Sequence, residues 1–372
     1  MNPKEAAQAE IKSIRNQLID LSHKIHSTPE IGFEEYQASL WLSDMLSKSG
    51  FTVQTGICDL PTAFSARSGN GPLHIAICAE YDSLPGIGHA CGHNIIAAAA
   101  VGAGIAAAKI ADDVGLTVSV IGTPAEEVGN NGGKIILLER GAFDDCHAAM
   151  MVHPTPFEMA SPRIIAASMF EVHYTGKEAH ASAFPEHGIN ASDALTIAQT
   201  AIGLLRQHIR PTDRVHGIIT NGGDAPNIIP AHTSAKYMVR AQTLTDLSDI
   251  HTKVDRCFEA GALATGASLE ITGGDKPYAH MEHDVDIASI YQKNAEALGR
   301  SFPDLGPAGE RAAGSTDMGN VSLALPSIHP MLGIDSFPAV NHQPEFAAHC
   351  ASPVADQAVI DGATAMAWTA ID

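Results

Sequence analysis

The sequence contains few basic residues for its acidic content. Lys and Arg total 22 against 42 Asp and Glu, which gives the 372-residue chain a formal net charge of −20. No cluster of Lys or Arg interrupts this excess. Because nucleic acids and anionic membrane surfaces attract positively charged proteins, neither is expected as a partner.

Long apolar segments are missing as well. The alanine-rich stretch 95–108 is too short and too rich in small residues to span a membrane. The charged N-terminal sequence MNPKEAAQAEIKSIRNQL has no apolar centre of the kind that marks a secretory signal peptide. The six cysteines are scattered without paired spacing, so no disulfide framework is indicated. These absences predict a cytoplasmic protein.

The overall composition, with 45% hydrophobic and 17% charged residues, is that of a folded globular protein. Three nearly all-apolar runs, 73–79, 116–122 and 148–152, are typical of buried strands. Helices are predicted between them at 95–109 and 134–139. Strands that alternate with helices predict an α/β domain with a mixed, largely parallel sheet flanked by helices.

The pattern changes at about residue 168. From there to residue 280 the predicted order is β-α-β-β-α-β, which is that of a ferredoxin-like α+β unit. We interpret 168–280 as a second domain that is inserted into the first. The first domain would then consist of two parts, 1–167 and 281–372.

Side chains that can bind metal follow each of the three apolar strands. Glu80 and Asp82 follow the first strand, Glu126 and Glu127 the second, and His153 the third. In parallel sheets, functional residues collect beyond the carboxyl ends of the strands. The sequence therefore predicts a functional site at this edge of the sheet.

The segment HACGHN places His89, Cys91 and His93 within five positions. A cysteine and a histidine two residues apart can bind one metal ion or bridge two, and a thiolate favours zinc over manganese. Two other interpretations stay open. Cys91 could be a nucleophile paired with a histidine, or a buried structural cysteine.

The late segment NHQPEF adds His342 on a predicted loop. Together these segments supply one thiolate, four imidazoles and two adjacent carboxylates, and the ligand set would take the thiolate, three imidazoles and one carboxylate. That set suffices for two metal ions, an open water position and a general base. Asp82 could orient a ligand histidine. The pattern favours a metal-dependent hydrolase.

Over nearly its full length the chain resembles the dinuclear-metal amidohydrolases and carboxypeptidases of the aminoacylase superfamily. The resemblance is strongest to the branch that contains indoleacetyl-amino-acid hydrolases, aminobenzoyl-glutamate hydrolase and, most similar, β-alanyl-lysine dipeptidases. It is carried by the segments HSTPEIGFEE, AEYDSLPGIGHACGHN, GTPAEE, GKEAHASAFPEHGINASDA, NIIP and NHQPEF.

The resemblance implies a centre with two divalent ions, zinc in preference to manganese, which Cys91 would bridge. Glu126 would be the general base, and Asp82 the carboxylate that orients a ligand. His89 would support the loop rather than bind metal. The implied metal ligands are Cys91, His93, Glu127, His153 and His342.

The resemblance also implies that the inserted domain is a lid and dimerisation domain, and that the protein is a homodimer. His180 in GKEAHAS would stabilise the tetrahedral oxyanion, a contribution of about 2.7–4 kcal/mol in typical enzymes. The residues implied to hold the substrate carboxylate are Asn227, Arg240 and the backbone turn of Gly314, Ser315 and Thr316.

Two departures from the branch concern charges near the centre. Many members have an aspartate where this chain has Asn94, and many have R-A-D-M-D where this chain has AEYD. Both changes alter the expected metal preference, but they retain the implied ligand atoms.

The expected reaction is hydrolysis of an amide or peptide bond next to a free carboxylate. The substrate would be a dipeptide or an N-acyl amino acid, cleaved by metal-activated water with Glu126 as base. The acidic net charge mildly favours cationic substrates over polyanionic ones. Two alternatives remain, namely a metal-independent hydrolase that uses Cys91 and a non-catalytic binding protein with the same fold.

Overall fold

A computed structural model describes residues 2–306, 309 and 313–372. The chain forms two compact units. The first consists of the described residues of Met1–Val128, Gly132–Ile164 and Met281–Asp372, and the second consists of Gly129–Asn131 and Ile165–His280.

The elements are numbered here in chain order. The strands are β1 (Thr52–Thr55), β2 (Phe64–Ser68), β3 (Leu73–Ala79), β4 (Leu116–Gly122), β5 (Ala148–Met150), β6 (His153–Thr155), β7 (Ala166–Thr175), β8 (Arg214–Asn221), β9 (His232–Ala241), β10 (Ser268–Gly273), β11 (Ser327–Ile328) and β12 (Met331–Gly333). Among the described residues the α-helices are α1 (Pro3–His26), α2 (Tyr36–Lys48), α3 (His93–Ala108), α4 (Ala111–Val114), α5 (Gly133–Glu139), α6 (Ala191–Leu205), α7 (Leu244–Thr265), α8 (Val285–Ala297), α9 (Met318–Ser322), α10 (Pro344–His349) and α11 (Pro353–Ile371).

The first unit contains a six-stranded sheet in the order β1-β2-β4-β3-β5-β11. Strands β4, β3, β5 and β11 are parallel, whereas β1 and β2 are antiparallel additions at one edge. Strand β4 is buried along its whole length, as expected for a strand covered on both faces. The predicted mixed, largely parallel sheet with flanking helices is confirmed.

Helix α3 lies in the core of the first unit. All of its residues from His93 to Ala107 are buried, and it packs against α1, α11 and the sheet. Its small side chains permit a close approach to the sheet. At Gly104 the helix lies so near β4 that an added Cβ would lie 2.3 Å from Cγ2 of Val120. Since α3 begins at His93, the helix that fills the core also fixes the end of the HACGHN segment.

The second unit contains an antiparallel sheet in the order β10-β7-β9-β8, against which α6 and α7 pack. The chain order β7-α6-β8-β9-α7-β10 is the predicted ferredoxin-like order. Strand β8 forms one edge, where Ile218 and Ile219 are 65% and 51% exposed. In the described part of the chain, no helix combines the length and hydropathy needed to cross a membrane.

Two element boundaries differ from the predictions. Apolar periodicity predicts a first helix from Glu10, but α1 begins at Pro3, because Asn2 and Glu5 form a capping box there. The strand predicted at 148–152 ends at Met150. His153 instead begins the separate strand β6, which pairs in parallel with β12. The short β6–β12 pair, rather than the main sheet, therefore positions His153.

Candidate metal centre

The five side chains implied as metal ligands converge within the first unit. Cys91 and His93 lie in the turn after β3 and at the start of α3, Glu127 follows β4, and His153 opens β6. His342 comes from the loop before α10. Their ligand atoms form two groups, each with all atoms within 4.8 Å of one another. One group is Cys91, His93 and His153, and the other is Cys91, Glu127 and His342.

The spacing of these atoms suits metal ligation. Sγ of Cys91 lies 3.4 Å from Nε2 of His153, and Nε2 of His342 lies 3.4 Å from Oε1 of Glu127. Zinc–ligand distances of about 2.0–2.3 Å place two tetrahedral ligands about 3.4 Å apart, or about 3.6 Å when one is sulfur. Both pairs therefore have the separation expected of two ligands on one ion.

Two of the buried ligand atoms make no hydrogen bond with a described residue. They are Nε2 of His93, whose side chain is fully buried, and Oε1 of Glu127. An unsatisfied buried polar atom costs about 1–3 kcal/mol, and more when it is charged. A pair of divalent cations would supply the missing interactions. The donor set and its burial therefore fit a two-metal centre that shares Cys91.

Asp82 connects the two halves of this centre. Its Oδ1 lies 2.9 Å from Nδ1 of His93, and its Oδ2 accepts the backbone N–H of Glu127 at 2.9 Å. A carboxylate behind a histidine ligand fixes the ring and leaves the other nitrogen for metal. Burial disfavours the charged forms of Asp82 and His93, but the attraction between the two side chains outweighs this effect. The pKa of Asp82 lies below its ordinary value and the pKa of His93 lies well above its own.

Glu126 and Glu127 are adjacent but lie in opposite electrostatic environments. Burial, together with the charges of Glu80 and Glu127, holds the pKa of Glu126 well above its ordinary value. Burial also acts on Glu127, but the neighbouring His342 and the charge of His93 lower the pKa of Glu127 below its ordinary value. Carboxylates whose pKa values are driven apart are candidates for different chemical roles.

The backbone that presents these glutamates is held in a left-handed conformation. Ala125 has a φ of 58°, and its N–H donates to Oε1 of the buried Glu35 at 2.8 Å. Burial, with a contribution from the charge of Asp82, raises the pKa of Glu35 to about 7. Positive φ at a residue other than glycine stores strain and is concentrated at functional sites. Glu35 is thus a positioning residue that sequence reasoning missed.

His342 also has a left-handed backbone. Its φ is 69°, and its N–H donates to the carbonyl of Ala90, in the turn that carries Cys91, at 2.8 Å. Its side chain is 56% exposed, whereas that of His93 is fully buried. The loop that carries His342 is therefore tied directly to the Cys91 turn, and its imidazole faces the open side of the centre.

The remaining polar residues of the HACGHN segment, His89 and Asn94, lie outside the two metal groups. His89 belongs to neither metal group, and burial lowers its pKa to about 3. The amide of buried Asn94 donates to Oγ of Ser22 and to the carbonyl of Cys350, both at 2.9 Å. An ionised aspartate could not donate either hydrogen bond. These contacts account for asparagine at position 94.

A buried ionic cluster next to the centre was not predicted. Nζ of Lys134 lies 2.5 Å from Oε1 of Glu80 and 2.6 Å from Oδ1 of Asp317, and all three side chains are fully buried. The available signals were a lysine in the apolar segment KIILL and an aspartate in GSTDMG. Neither local pattern specifies a partner 54 or 183 residues away.

The turn implied to bind the substrate carboxylate also lies in the first unit. Within it, the N–H of Gly314 donates to the carbonyl of Arg163 at 3.2 Å and is thus engaged in the fold. Thr316 is 4% exposed, and its hydroxyl accepts the N–H of Met318 at 3.2 Å. Ser315 lies between them.

His180, Asn227 and Arg240 lie in the second unit. His180 forms an isolated antiparallel β-bridge with Ile228, the residue after Asn227. The carbonyl of Asn227 accepts the N–H of Ala181 at 3.0 Å. This segment precedes β9, whereas Arg240 is the penultimate residue of that ten-residue strand. At about 3.3 Å per residue, Arg240 lies roughly 26 Å along β9 from its first residue. The second unit thus brings His180 and Asn227 together and places Arg240 elsewhere.

Comparison with known proteins agrees with this architecture. Residues 166–265 match the family model of the peptidase dimerisation domain. Over 99% of its length the chain is 39% identical to the Xaa-Arg dipeptidase of Mus musculus, of which it covers 88%. It is 38% identical over 95% of its length to the Xaa-Arg dipeptidase of Homo sapiens, of which it covers 84%.

The fold is also similar to that of solved structures. One is the Bacillus subtilis YXEP protein, described as a dinuclear metal binding peptidase from the M20 family. The TM-score is 0.72, with 21% sequence identity over 97% of this chain and 98% of that one. At this level of identity the similarity establishes the fold alone.

Proposed function

Because the chain belongs to the M20 family of peptidases and is a hydrolase of C–N bonds, we propose that it cleaves the amide bond next to a free carboxylate in a metal-dependent reaction. The substrate is a dipeptide or an N-acyl amino acid. The observation that carries this proposal is the pair of ligand groups that share Cys91, with buried ligand atoms that lack hydrogen-bond partners among the described residues.

The proposed centre holds two divalent ions. The first lies among Cys91, His93 and His153, and the second among Cys91, Glu127 and His342. Zinc is preferred because the shared ligand is a thiolate, and manganese is the second candidate. When bound, the metals lower the pKa of a water molecule and polarise the scissile carbonyl.

Glu126 is proposed as the general base. It takes a proton from the attacking water and returns it to the departing amine. The raised pKa of Glu126, caused by burial and by the charges of Glu80 and Glu127, supports this role. A carboxylate with a raised pKa is a stronger proton acceptor than an ordinary glutamate. His180 is proposed to donate a hydrogen bond to the oxyanion, which strengthens as negative charge develops.

The substrate carboxylate is proposed to bind Asn227, Arg240 and the turn of Gly314, Ser315 and Thr316. His180 and Arg240 lie near opposite ends of β9, which supports a homodimer in which each site uses residues from two copies. The exposed edge strand β8 supports the same assembly, because an unpaired strand can add to a second sheet. The cytoplasmic location stays a prediction.

The side chain next to the free carboxylate is proposed to be basic. Two relatives of this chain are named as Xaa-Arg dipeptidases. The formal net charge of −20 favours the approach of a cationic substrate. Dipeptides that end in arginine or lysine are therefore the first substrates to test.

One observation favours a second candidate, a cysteine hydrolase. Sγ of Cys91 lies 3.4 Å from Nε2 of His153, which is also a thiol–imidazole pair. However, burial and the charge of Glu127 hold the pKa of the Cys91 thiol well above its ordinary value, which opposes a thiolate nucleophile without metal. Activity that survives dialysis against a chelator would favour this candidate.

The decisive experiment is Glu126→Gln, with metal content and dipeptide hydrolysis measured on the same preparations. We expect bound metal to match the wild type and kcat to fall about 10²–10⁴-fold, the usual contribution of general acid–base catalysis. Glu158→Gln is the matched control, because it changes a buried carboxylate that pairs with Arg300 and belongs to neither metal group. Wild-type turnover in Glu126→Gln would refute the assignment of the base.

A further inference from the structure

Glu80 lies next to the candidate metal centre, and only one of its two carboxylate oxygens is paired with a described residue by a hydrogen bond. Its side chain is fully buried, and Oε1 lies 2.5 Å from Nζ of Lys134. Oε2 makes no hydrogen bond with a described residue. This oxygen lies 3.4 Å from Nε2 of His93, which also lacks a hydrogen-bond partner among the described residues. Two unsatisfied buried ligand atoms therefore lie side by side.

The distances rank Glu80 above the neighbouring carboxylates. The nearest oxygens of Glu126 and Glu127 lie 3.9 and 4.0 Å from Nε2 of His93. Two nitrogen or oxygen ligands of one tetrahedral ion lie about 3.4 Å apart. Glu80 matches this spacing, and its ligand atom forms a group with those of His93 and Glu126 within 4.8 Å.

We propose that Glu80 is a sixth protein ligand of the metal centre, which binds through Oε2 to the ion held by His93. This inference rests on the proposed function, because it requires metal at the centre. It goes beyond the five ligands inferred from the sequence. A carboxylate oxygen suits manganese better than a thiolate does, so Glu80 also shifts the preference of this centre towards manganese.

Lys134 and Asp317 act as positioning residues in this arrangement. Lys134 holds Oε1 of Glu80, which leaves Oε2 directed towards His93. Asp317 holds Lys134 at two points, since Oδ1 lies 2.6 Å from Nζ and Oδ2 accepts the backbone N–H of Lys134 at 2.9 Å. A carboxylate fixed in this way keeps the same orientation before and after metal binds.

The competing explanation is that Glu80 serves only as a counter-ion for Lys134. A buried lysine does need a negative partner, because an uncompensated buried charge is strongly destabilising. Asp317 already provides one such partner. The counter-ion role uses Oε1 and does not require Oε2 to lie beside Nε2 of His93. Variants can separate the two explanations.

The test is the stoichiometry and affinity of Mn²⁺ and Zn²⁺ in Glu80→Gln, measured by calorimetry and by metal analysis of the full-length protein after removal of free metal. We expect the wild type to bind two equivalents. Glu80→Gln should lose at least tenfold in affinity for one equivalent, with a larger loss for Mn²⁺ than for Zn²⁺. Glu158→Gln is the control, because buried Glu158 pairs with Arg300 at 2.7 Å. It should bind both ions as the wild type does.

The triple variant Glu80→Gln/Lys134→Met/Asp317→Asn removes the counter-ion question, because it deletes all three charges of the buried cluster together. The weaker binding should persist in this variant, and circular dichroism should show a folded protein. Wild-type affinity for both equivalents in Glu80→Gln would overturn the ligand assignment and leave the proposed function intact. Recovery of wild-type affinity in the triple variant would overturn it as well. Failure of the wild type to bind metal would overturn the proposed function itself.

Discussion

Gly92→Ala should damage the metal centre more than a comparable change elsewhere in the same turn. Gly92 lies between Cys91 and His93 with a φ of 77°. A Cβ at this position would lie 2.4 Å from Cγ of Pro154 and 3.2 Å from Sγ of Cys350. Pro154 directly follows His153, so a shift of the proline would move a candidate ligand away from Cys91.

The expected loss in the free energy of unfolding of Gly92→Ala has two parts. The left-handed conformation costs a residue with a Cβ about 1–2 kcal/mol, and overpacking of a core contact costs about 1–3 kcal/mol. Gly86→Ala is the matched control, because Gly86 has a φ of 79° and a Cβ there would meet nothing within 4 Å. Gly92→Ala should therefore lose about 1–3 kcal/mol more free energy of unfolding than Gly86→Ala.

Urea denaturation of the metal-free proteins measures this difference, and calorimetric titration with zinc measures the effect on the centre. We expect zinc affinity to fall in Gly92→Ala and to stay at the wild-type level in Gly86→Ala. Equal losses of stability in the two variants would show that Pro154 and Cys350 move aside without cost. Unchanged zinc affinity in Gly92→Ala would refute the link between this contact and the ligand geometry.

Two further predictions concern buried side chains that support the centre. The pKa of Glu35 is raised from 4.5 to about 7, so folding disfavours its charge, and the penalty grows as pH rises from 4.5 to 7. Glu35→Gln should therefore leave the free energy of unfolding almost unchanged at pH 5 and raise it by up to about 3 kcal/mol at pH 8, as measured by urea denaturation. A difference between the variant and the wild type that does not change with pH would contradict this prediction. Asn94→Asp should lower the free energy of unfolding by at least about 1–3 kcal/mol, because it removes the donors to Ser22 and Cys350. Equal stability of the aspartate variant would show that these hydrogen bonds do not select asparagine.

The sequence was most informative where local patterns alone decide the structure. Strands β3 and β4 begin and end at the predicted residues, because each is an apolar run bounded by glycine, proline or acidic residues. The start of the final helix, α11, is also marked locally, because Pro353 suits the first turn of a helix. The convergence of ligand-type side chains followed from one rule, namely that parallel strands present their carboxyl ends at the same edge of a sheet.

The sequence was least informative where a contact joins distant parts of the chain. Glu35 looks like one of several acidic residues in HSTPEIGFEE, yet its partner is the backbone N–H of Ala125. Lys134 looks like an ordinary exposed lysine at the start of a helix, yet it is fully buried between two carboxylates. Neither contact follows from periodicity or local turn chemistry, because both depend on the packing of the whole unit.

The composition of α3 limits how this protein can be redesigned. A helix made almost entirely of alanine, glycine and isoleucine, and buried on every side, has no face on which a larger side chain could be accommodated. Mutant libraries directed at 95–107 would therefore consist mainly of misfolded chains. Changes in substrate preference are better sought in loops, where the backbone can adjust, than in the helix that holds His93 in place.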